Sequence, residues 1–274
     1  MNQFTSRSED AKFQLAERIQ FGTNIVFGPS CKNITIGYGC FLGNDLYIDV
    51  PELVIGDYTT IHKGTTIHGY RTCTIGHNCW IGQQSIIDSI AGTSIGNNVG
   101  IGASSQLWSH AKFGDSLEGC QWNKSKPLMI EDDVWFAGHC IVSPIVAKKK
   151  AMLLVGGVIT KDMEENHVYA GVPAKDITEL VGPQFIEVPL ESKINTFLKL
   201  YNEFLNLNNL CTKDFSIMIT DNDNFDQLKS AKEQTVFSIK DRTYIPTRSD
   251  YEYRFMKFLL YDRAKFIPKV SQLL

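Results

Sequence analysis

The sequence predicts a mainly β fold: a three-sided parallel β-helix followed by a smaller α/β appendage. Three observations carry this. The first is a column of branched aliphatics at six-residue steps between Ile36 and Leu107. Ile36, Leu42 and Ile48 form one triplet, Ile55, Ile61 and Ile67 the next, then Ile75, Ile81 and Ile87, then Ile95, Ile101 and Leu107, and the triplets recur every 19 or 20 residues. A helix repeats at about 3.6 residues and a half-buried strand at about 2, so neither alone makes a period of six. A coil of three short strands and three turns does, with the aliphatic pointing inward on each side. The second observation is a glycine directly after the aliphatic, at Gly37, Gly43, Gly56, Gly76, Gly82, Gly96 and Gly102, where tight turns are expected. The third is a column of small or β-branched residues four places after the aliphatic: Cys40, Thr59, Thr65, Cys79, Ser85, Val99 and Ser105. A β-sandwich of short strands would not keep the six-residue step.

The elements follow in order. Residues 1–23 are expected to hold a capping helix, because Ala11, Leu15 and Ile19 share one face of a helix drawn from Ser8 to Ile19. Such a cap would cover the unpaired strand edges at the open end of the coil. Residues 24–180 form the β-helix, with Asn24 to Thr35 an incomplete first coil. The register stops after Trp108, and residues 109–128 make a long excursion that carries His110, Asp115, Glu118 and Trp122. A long loop in a compact repeat domain is more often functional than idle. The register resumes at Ile130, Phe136 and Val142, degrades through the corner at Lys148, Lys149 and Lys150, and ends at Pro173. Residues 181–274 read as the α/β appendage, with helices over Glu191–Leu205 and Arg248–Lys265 and strands over Phe215–Thr220 and near Val236.

Composition narrows the function. A formal charge of −3 over 274 residues leaves no polyanion-binding footprint, so nucleic acid is not an expected partner. No apolar run is long enough to span a bilayer, and the polar first residues lack the core of a signal peptide, so the expected location is cytoplasmic. The seven cysteines form no CxxC pair, and Cys40, Cys79 and Cys140 fall on the small inward column. They read as buried thiols in a reducing compartment rather than disulfides or zinc ligands.

The segments IEDDVWFAGHCIVSPI, GGVITKDM and VYAGVPAK, between Ile130 and Lys175, resemble the C-terminal signature of hexapeptide-repeat acyltransferases, most closely the sugar O-acetyltransferase branch with the galactoside and maltose acetyltransferases. The resemblance covers the β-helix and leaves the appendage uncovered. It implies a left-handed coil, assembly as a homotrimer, acetyl-CoA as co-substrate, no metal, and a sugar or surface glycan as acceptor.

The resemblance also assigns residues. His110, at the start of the excursion in LWSHAKFGD, matches the family's general base. A sugar hydroxyl is a poor nucleophile, and an imidazole can take its proton as it attacks the thioester carbonyl. Asp115 and Glu118 are both candidates to orient the ring. A backbone N–H near Gly138 matches the oxyanion donor, although Phe136-Ala137 departs from the usual Ile-Gly. Trp135 matches the tryptophan beside the pantetheine arm, Gly156 and Gly157 the turn along which that arm lies, and Lys161 and Lys175 the cations near the coenzyme A phosphates. Trp108 follows Asp49, His68 and Asp88 at one corner of successive turns, a series read as one side of the acceptor site. Gln84, beside Gln83, stands where the galactoside branch carries a substrate-contacting Asn. Cys140 is assigned to the core and not to nucleophilic catalysis.

Three other readings compete. An N-acetyltransferase of a nucleotide-linked amino sugar would need His110 less, since an amine attacks once deprotonated. A zinc or iron hydratase on the same fold would need three converging histidines, and the six in the chain lack the expected pair spacing. A non-catalytic β-helix would have no use for His110, Trp135 and Lys161.

Overall fold

The computed structural model describes residues 4–220 and 234–269. The chain forms two compact units, Met1–Phe185 and Ile186–Leu274.

The first unit is the mainly β coil that the spacing predicts. Three parallel sheets form its faces, and each strand pairs with the strand one coil above and below on the same face. Tyr47–Asp49, Thr66–His68, Ile86–Asp88 and Gln106–Leu107 lie on the first face. Glu52–Ile55, Cys73–Ile75 and Thr93–Ile95 lie on the second, and Thr60–Ile61, Trp80–Ile81, Gly100–Ile101 and Trp135–Phe136 on the third. The aliphatic column is buried throughout and forms one continuous core. The small column is buried too, and its chemistry explains its composition: Thr59 Oγ1 donates to the Gly76 carbonyl at 2.7 Å, Ser85 Oγ to the Gly82 carbonyl at 2.9 Å, and Cys79 Sγ to the Gly96 carbonyl at 3.1 Å. These side chains satisfy corner carbonyls that turn into the core and would otherwise be orphaned.

The corner glycines are required by close stacking. A Cβ at Gly56 would meet the Gly76 carbonyl carbon at 2.6 Å, and one at Gly76 would meet that of Gly96 at the same distance. Left-handed backbone falls instead on Tyr58, Asn78 and Asn98, with φ of 59°, 58° and 60°. The last two carry side chains that bond up the stack, Asn78 to Asn98 at 3.0 Å and Asn98 to Asp133 at 3.2 Å.

The helix expected between Ser8 and Ile19 is not formed. Thr5–Ser6, Lys12–Leu15 and Gln20–Phe21 are strands, each parallel to its counterpart one coil higher. The four-residue spacing of Ala11, Leu15 and Ile19 suits a helix, but the open edge of the next coil offers a ladder of unpaired backbone groups, and the segment satisfies it by adding a coil. Its inward residues are aromatic. Phe4, Phe13, Phe21 and Phe27 cluster with ring centroids 4.8–5.6 Å apart and fill the interior of the lowest described coil.

The excursion is a hairpin arm. His110–Lys112 pairs antiparallel with Asn123–Ser125. The chain returns at Leu128–Ile130 in the register that Thr93–Ile95 sets below it. At the other end of the coil, Val168–Gly171 and Ala174–Asp176 form an antiparallel hairpin, followed by helix α1, Thr178–Val181. The His167 side chain, then the Thr178 hydroxyl and N–H, bond the Asp176 carboxylate and lower its pKa to about 2.

In the second unit, Ile217–Thr220, Thr235–Ser238, Thr243–Ile245 and Ile267–Pro268 form a four-stranded sheet. Helices α2, Leu190–Leu207, and α3, Asp250–Leu259, accompany it. The second expected helix thus stops six residues before Lys265. Phe197, Phe204, Phe237, Phe255 and Phe266 form its aromatic core. Ser249 caps α3 by accepting from the Glu252 N–H, and the buried Glu252 carboxylate accepts from Thr235, Thr247 and the Arg248 N–H. Residues 221–233 and 270–274 of the appendage read from the sequence lie outside the described residues.

Candidate active site

The corner between the first and second faces gathers the chemistry. His68, Asp88 and Trp108 stack there on successive coils, as the strand registers require. His110 follows two residues after Trp108, where the arm leaves the coil. Its Nδ1 lies 2.9 Å from Asp88 Oδ2.

Asp88 is the orienting carboxylate. Its side chain is fully buried, so it does not face an acceptor as the corner series led us to expect. Oδ2 also accepts the Ser109 N–H at 2.8 Å and the Ser109 hydroxyl at 2.6 Å, and Oδ1 accepts from the Ile90 N–H at 3.4 Å. Ser109 Oγ in turn accepts the Ala91 N–H at 2.9 Å. A buried carboxylate is tolerated when donors fill its lone pairs, and here they fix it in one geometry. Asp115 and Glu118 do not serve this role. Both sit out on the exposed arm, and Asp115 Oδ1 accepts from the Leu117 N–H. The sequence signal for Asp88 was its offset: 22 residues before His110, one coil plus two places. A stacked coil turns that offset into contact.

His110 is one-fifth exposed, and with Nδ1 engaged by Asp88 its Nε2 has no partner among the described residues. The Trp108 ring stands edge-on to it with centroids 6.3 Å apart. His68 Nδ1 lies 4.0 Å from Asp88 Oδ1 on the other side.

Gly138 lies at a different corner, where the third face returns to the first. Its N–H donates to no acceptor among the described residues, but neither do the equivalent N–H groups of Lys63, Gln83 and Ala103 in lower coils. What sets Gly138 apart is the missing side chain, with φ at 135°. Gly156 sits one coil above, and its N–H donates to the Gly138 carbonyl at 2.9 Å. Gly156 is exposed and Gly157 buried against Leu153. Trp135 is half-exposed on the third face, and its ring leans over Gly100, where a Cβ would approach Trp135 Cδ1 to 3.1 Å. These four residues form one strip.

The other candidates divide between the two corners. Lys161 is exposed on the His110 corner, past Val158–Ile159. Lys175 is exposed on the terminal hairpin at the end of the third face. Gln84 is exposed at the Gly138 corner with φ of 57°, across the first face from Asp88. Within one chain, therefore, His110 and Gly138 stand on opposite edges of the first face, about 15 Å apart at about 3.3 Å per residue of strand. Cys140 is in the core, its thiol pushed up by burial. Among the described residues no three His, Cys, Asp or Glu side chains converge as a metal site requires, and no helix is long and apolar enough to cross a membrane.

No family model matches the chain. A protein of Schizosaccharomyces pombe named "Putative acetyltransferase" is 29% identical over 121 residues, 43% of this chain and 55% of that protein. The galactoside O-acetyltransferase of Escherichia coli is 33% identical over 57 residues, 20% of this chain and 28% of that enzyme. The chain thus spans about half or less of the length of these curated relatives. Among solved structures, the polysialic acid O-acetyltransferase OatWY is similar at 16% identity and a TM-score of 0.47, over 68% of this chain and 91% of that one. A hexapeptide-repeat acetyltransferase from Vibrio cholerae, complexed with acetyl coenzyme A, is similar at 19% identity and a TM-score of 0.37, over 52% and 68%. Both sequence relatives carry the name acetyltransferase.

Proposed function

We propose that this chain is an acetyl-CoA-dependent O-acetyltransferase of a sugar or glycan, working as a cytoplasmic homotrimer with His110 as general base. The observation that carries the reading is the Asp88–His110 pair. A buried carboxylate on Nδ1 fixes the ring and its tautomer and directs Nε2 outward, which is the base half of the triad logic. The names of the two sequence relatives support acetyl transfer.

In this reading His110 Nε2 takes the proton of the acceptor hydroxyl as that oxygen attacks the thioester carbonyl carbon. The Gly138 N–H donates to the oxyanion of the tetrahedral intermediate. Collapse breaks the C–S bond, and the imidazolium returns its proton to the departing thiolate. Transfer is direct, without an acyl-enzyme, which suits a Cys140 thiol held in the core. Trp135, Gly156 and Gly157 would line the pantetheine arm, and Lys161 and Lys175 would meet the phosphates. Trp108 would face the acceptor.

Separation of His110 from Gly138 within one chain supports the trimer. A second copy that sets its Gly138 corner against this His110 corner completes the site, and a closed threefold ring completes three sites at once. Five buried cysteines outside any disulfide fit a reducing cytoplasm.

The test is thiol release from acetyl-CoA against simple sugars, nucleotide amino sugars and oligosaccharides, with wild type and His110→Ala side by side. Turnover on a hydroxyl acceptor should fall by about 10²–10⁴-fold in the variant. Turnover on an amino sugar that survives the substitution would move the assignment to N-acetyl transfer. No turnover and no coenzyme A binding would refute both.

A further inference from the structure

The His110 corner continues below the Asp88 pair, and the groups there are not absorbed by the reaction. Asp88 pairs in register with His68, so Ile90 lies one coil below His110 and Tyr70 two coils below. Strands within a sheet are about 4.8 Å apart, which puts Tyr70 about 10 Å down the same corner, within reach of a sugar further along a bound chain. In the single chain Tyr70 is 76% exposed. Beside it Arg71 is exposed and forms no ion pair among the described residues. Gly92, one coil up, has a φ of 99°, and a Cβ there would make ordinary contact with Arg71 Cβ at 3.8 Å.

The acids of this corner are already engaged. Asp88 is filled by Ser109 and His110, Asp49 accepts from the Ser30 N–H and the Tyr47 hydroxyl, and Glu52 accepts from the Thr72 hydroxyl at 2.9 Å. The upward direction is taken by the arm's returning strand, whose Lys126 N–H bonds the Ser109 carbonyl and whose Nζ lies 3.4 Å from Asp162. An acceptor longer than one sugar therefore has the downward path, over an aromatic face and an uncommitted guanidinium.

We propose that Tyr70 and Arg71 form a second acceptor subsite that binds a carboxylate-bearing sugar further along the chain from the one being acetylated. The inference rests on the O-acetyltransferase reading and names its acceptor as an acidic oligosaccharide. Tyr70 offers its ring to the apolar face of the sugar, and the Arg71 fork takes the carboxylate.

The experiment compares an oligosaccharide bearing such a carboxylate with the same molecule after reduction of the carboxylate to an alcohol. Wild type should prefer the acid. Arg71→Gln should lower that preference at least tenfold through KM rather than kcat, with partial rescue by Arg71→Lys. Tyr70→Ala should raise KM for both forms, and Tyr70→Phe should not. Saturation-transfer NMR with the acidic oligosaccharide reads binding without chemistry. Contact that Arg71→Gln abolishes supports the subsite even if no acetyl group moves, in which case the reaction assignment alone has failed. The subsite is overturned by no preference in wild type, by a preference that survives Arg71→Gln, or by a change of oligomeric state in Tyr70→Ala in place of the KM effect.

Discussion

Asp88 is a side chain whose meaning depends on one neighbour. Its Oδ2 is held by Ser109 and presented to His110, while Oδ1 accepts from the Ile90 N–H and lies 4.0 Å from His68 Nδ1. If it acts only through His110, its loss should not add to the loss of the imidazole. Asp88→Asn should lower kcat/KM, His110→Ala should lower it by about 10²–10⁴-fold, and the double variant should be no slower than His110→Ala. A further drop in the double variant, with all three proteins folded, would give Asp88 a separate task. The sequence singles out His110 through the family resemblance, at the place where the hexad breaks. Asp88 was not legible, because it reads as one of a series of polar corner residues. Only the stacking of coils decides that this member turns inward to meet a ring two places further along the next coil.

Elements of this molecule are written in columns, and columns are legible. The aliphatic step, the glycine after it and the small residue beyond it fixed the coil from Ile36 to Leu107 because each column repeats one physical demand. Gly102 shows how hard the demand is. A Cβ there would meet the Ala137 carbonyl oxygen at 2.3 Å and the Gly138 nitrogen at 2.5 Å. Gly102→Ala should destabilise the coil by about 1–3 kcal/mol in denaturant melts, as overpacking of a close-packed interior does. Because the displaced atoms include the Gly138 nitrogen, the variant should also lose activity beyond its loss of folded protein. Unchanged stability would mean that the corner relaxes freely. The first coil was missed where the columns change identity: by register Ser6, Leu15 and Phe21 stand in the aliphatic column, Phe4 and Phe13 add aromatic packing beside it, and spacing alone favoured a helix. The arm was legible as an interruption but not as a hairpin, since its strands follow no inward column.

At the scale of the whole molecule, the coil puts its proposed base on one edge and its proposed oxyanion donor on another. Co-assembly tests whether neighbouring copies share a site. His110→Ala and Gly138→Val subunits should each be inactive alone. Denatured and refolded together in equal amounts, they should regain activity at up to about a quarter of the sites, the share that random assortment in a ring provides. No recovery from mixed assemblies would place the whole site within one chain. Both long helices of the second unit and its strands at Ile217–Thr220 and Thr235–Ser238 were readable, Thr243–Ile245 and Ile267–Pro268 were not, and its role was not, because its apolar positions are spent on its own aromatic core. The return of the arm carries one more consequence. Leu128 bonds the Gly92 carbonyl at 3.0 Å and resumes the ladder as though residues 109–127 had not intervened. Closing a longer loop costs only about 0.6 kcal/mol per doubling of its length. Beyond Ser109 and His110, which are tied to Asp88, the arm is thus an exchangeable cartridge: its outer part can be shortened or extended while the scaffold stays folded, so new acceptors can be tried without renegotiating the fold.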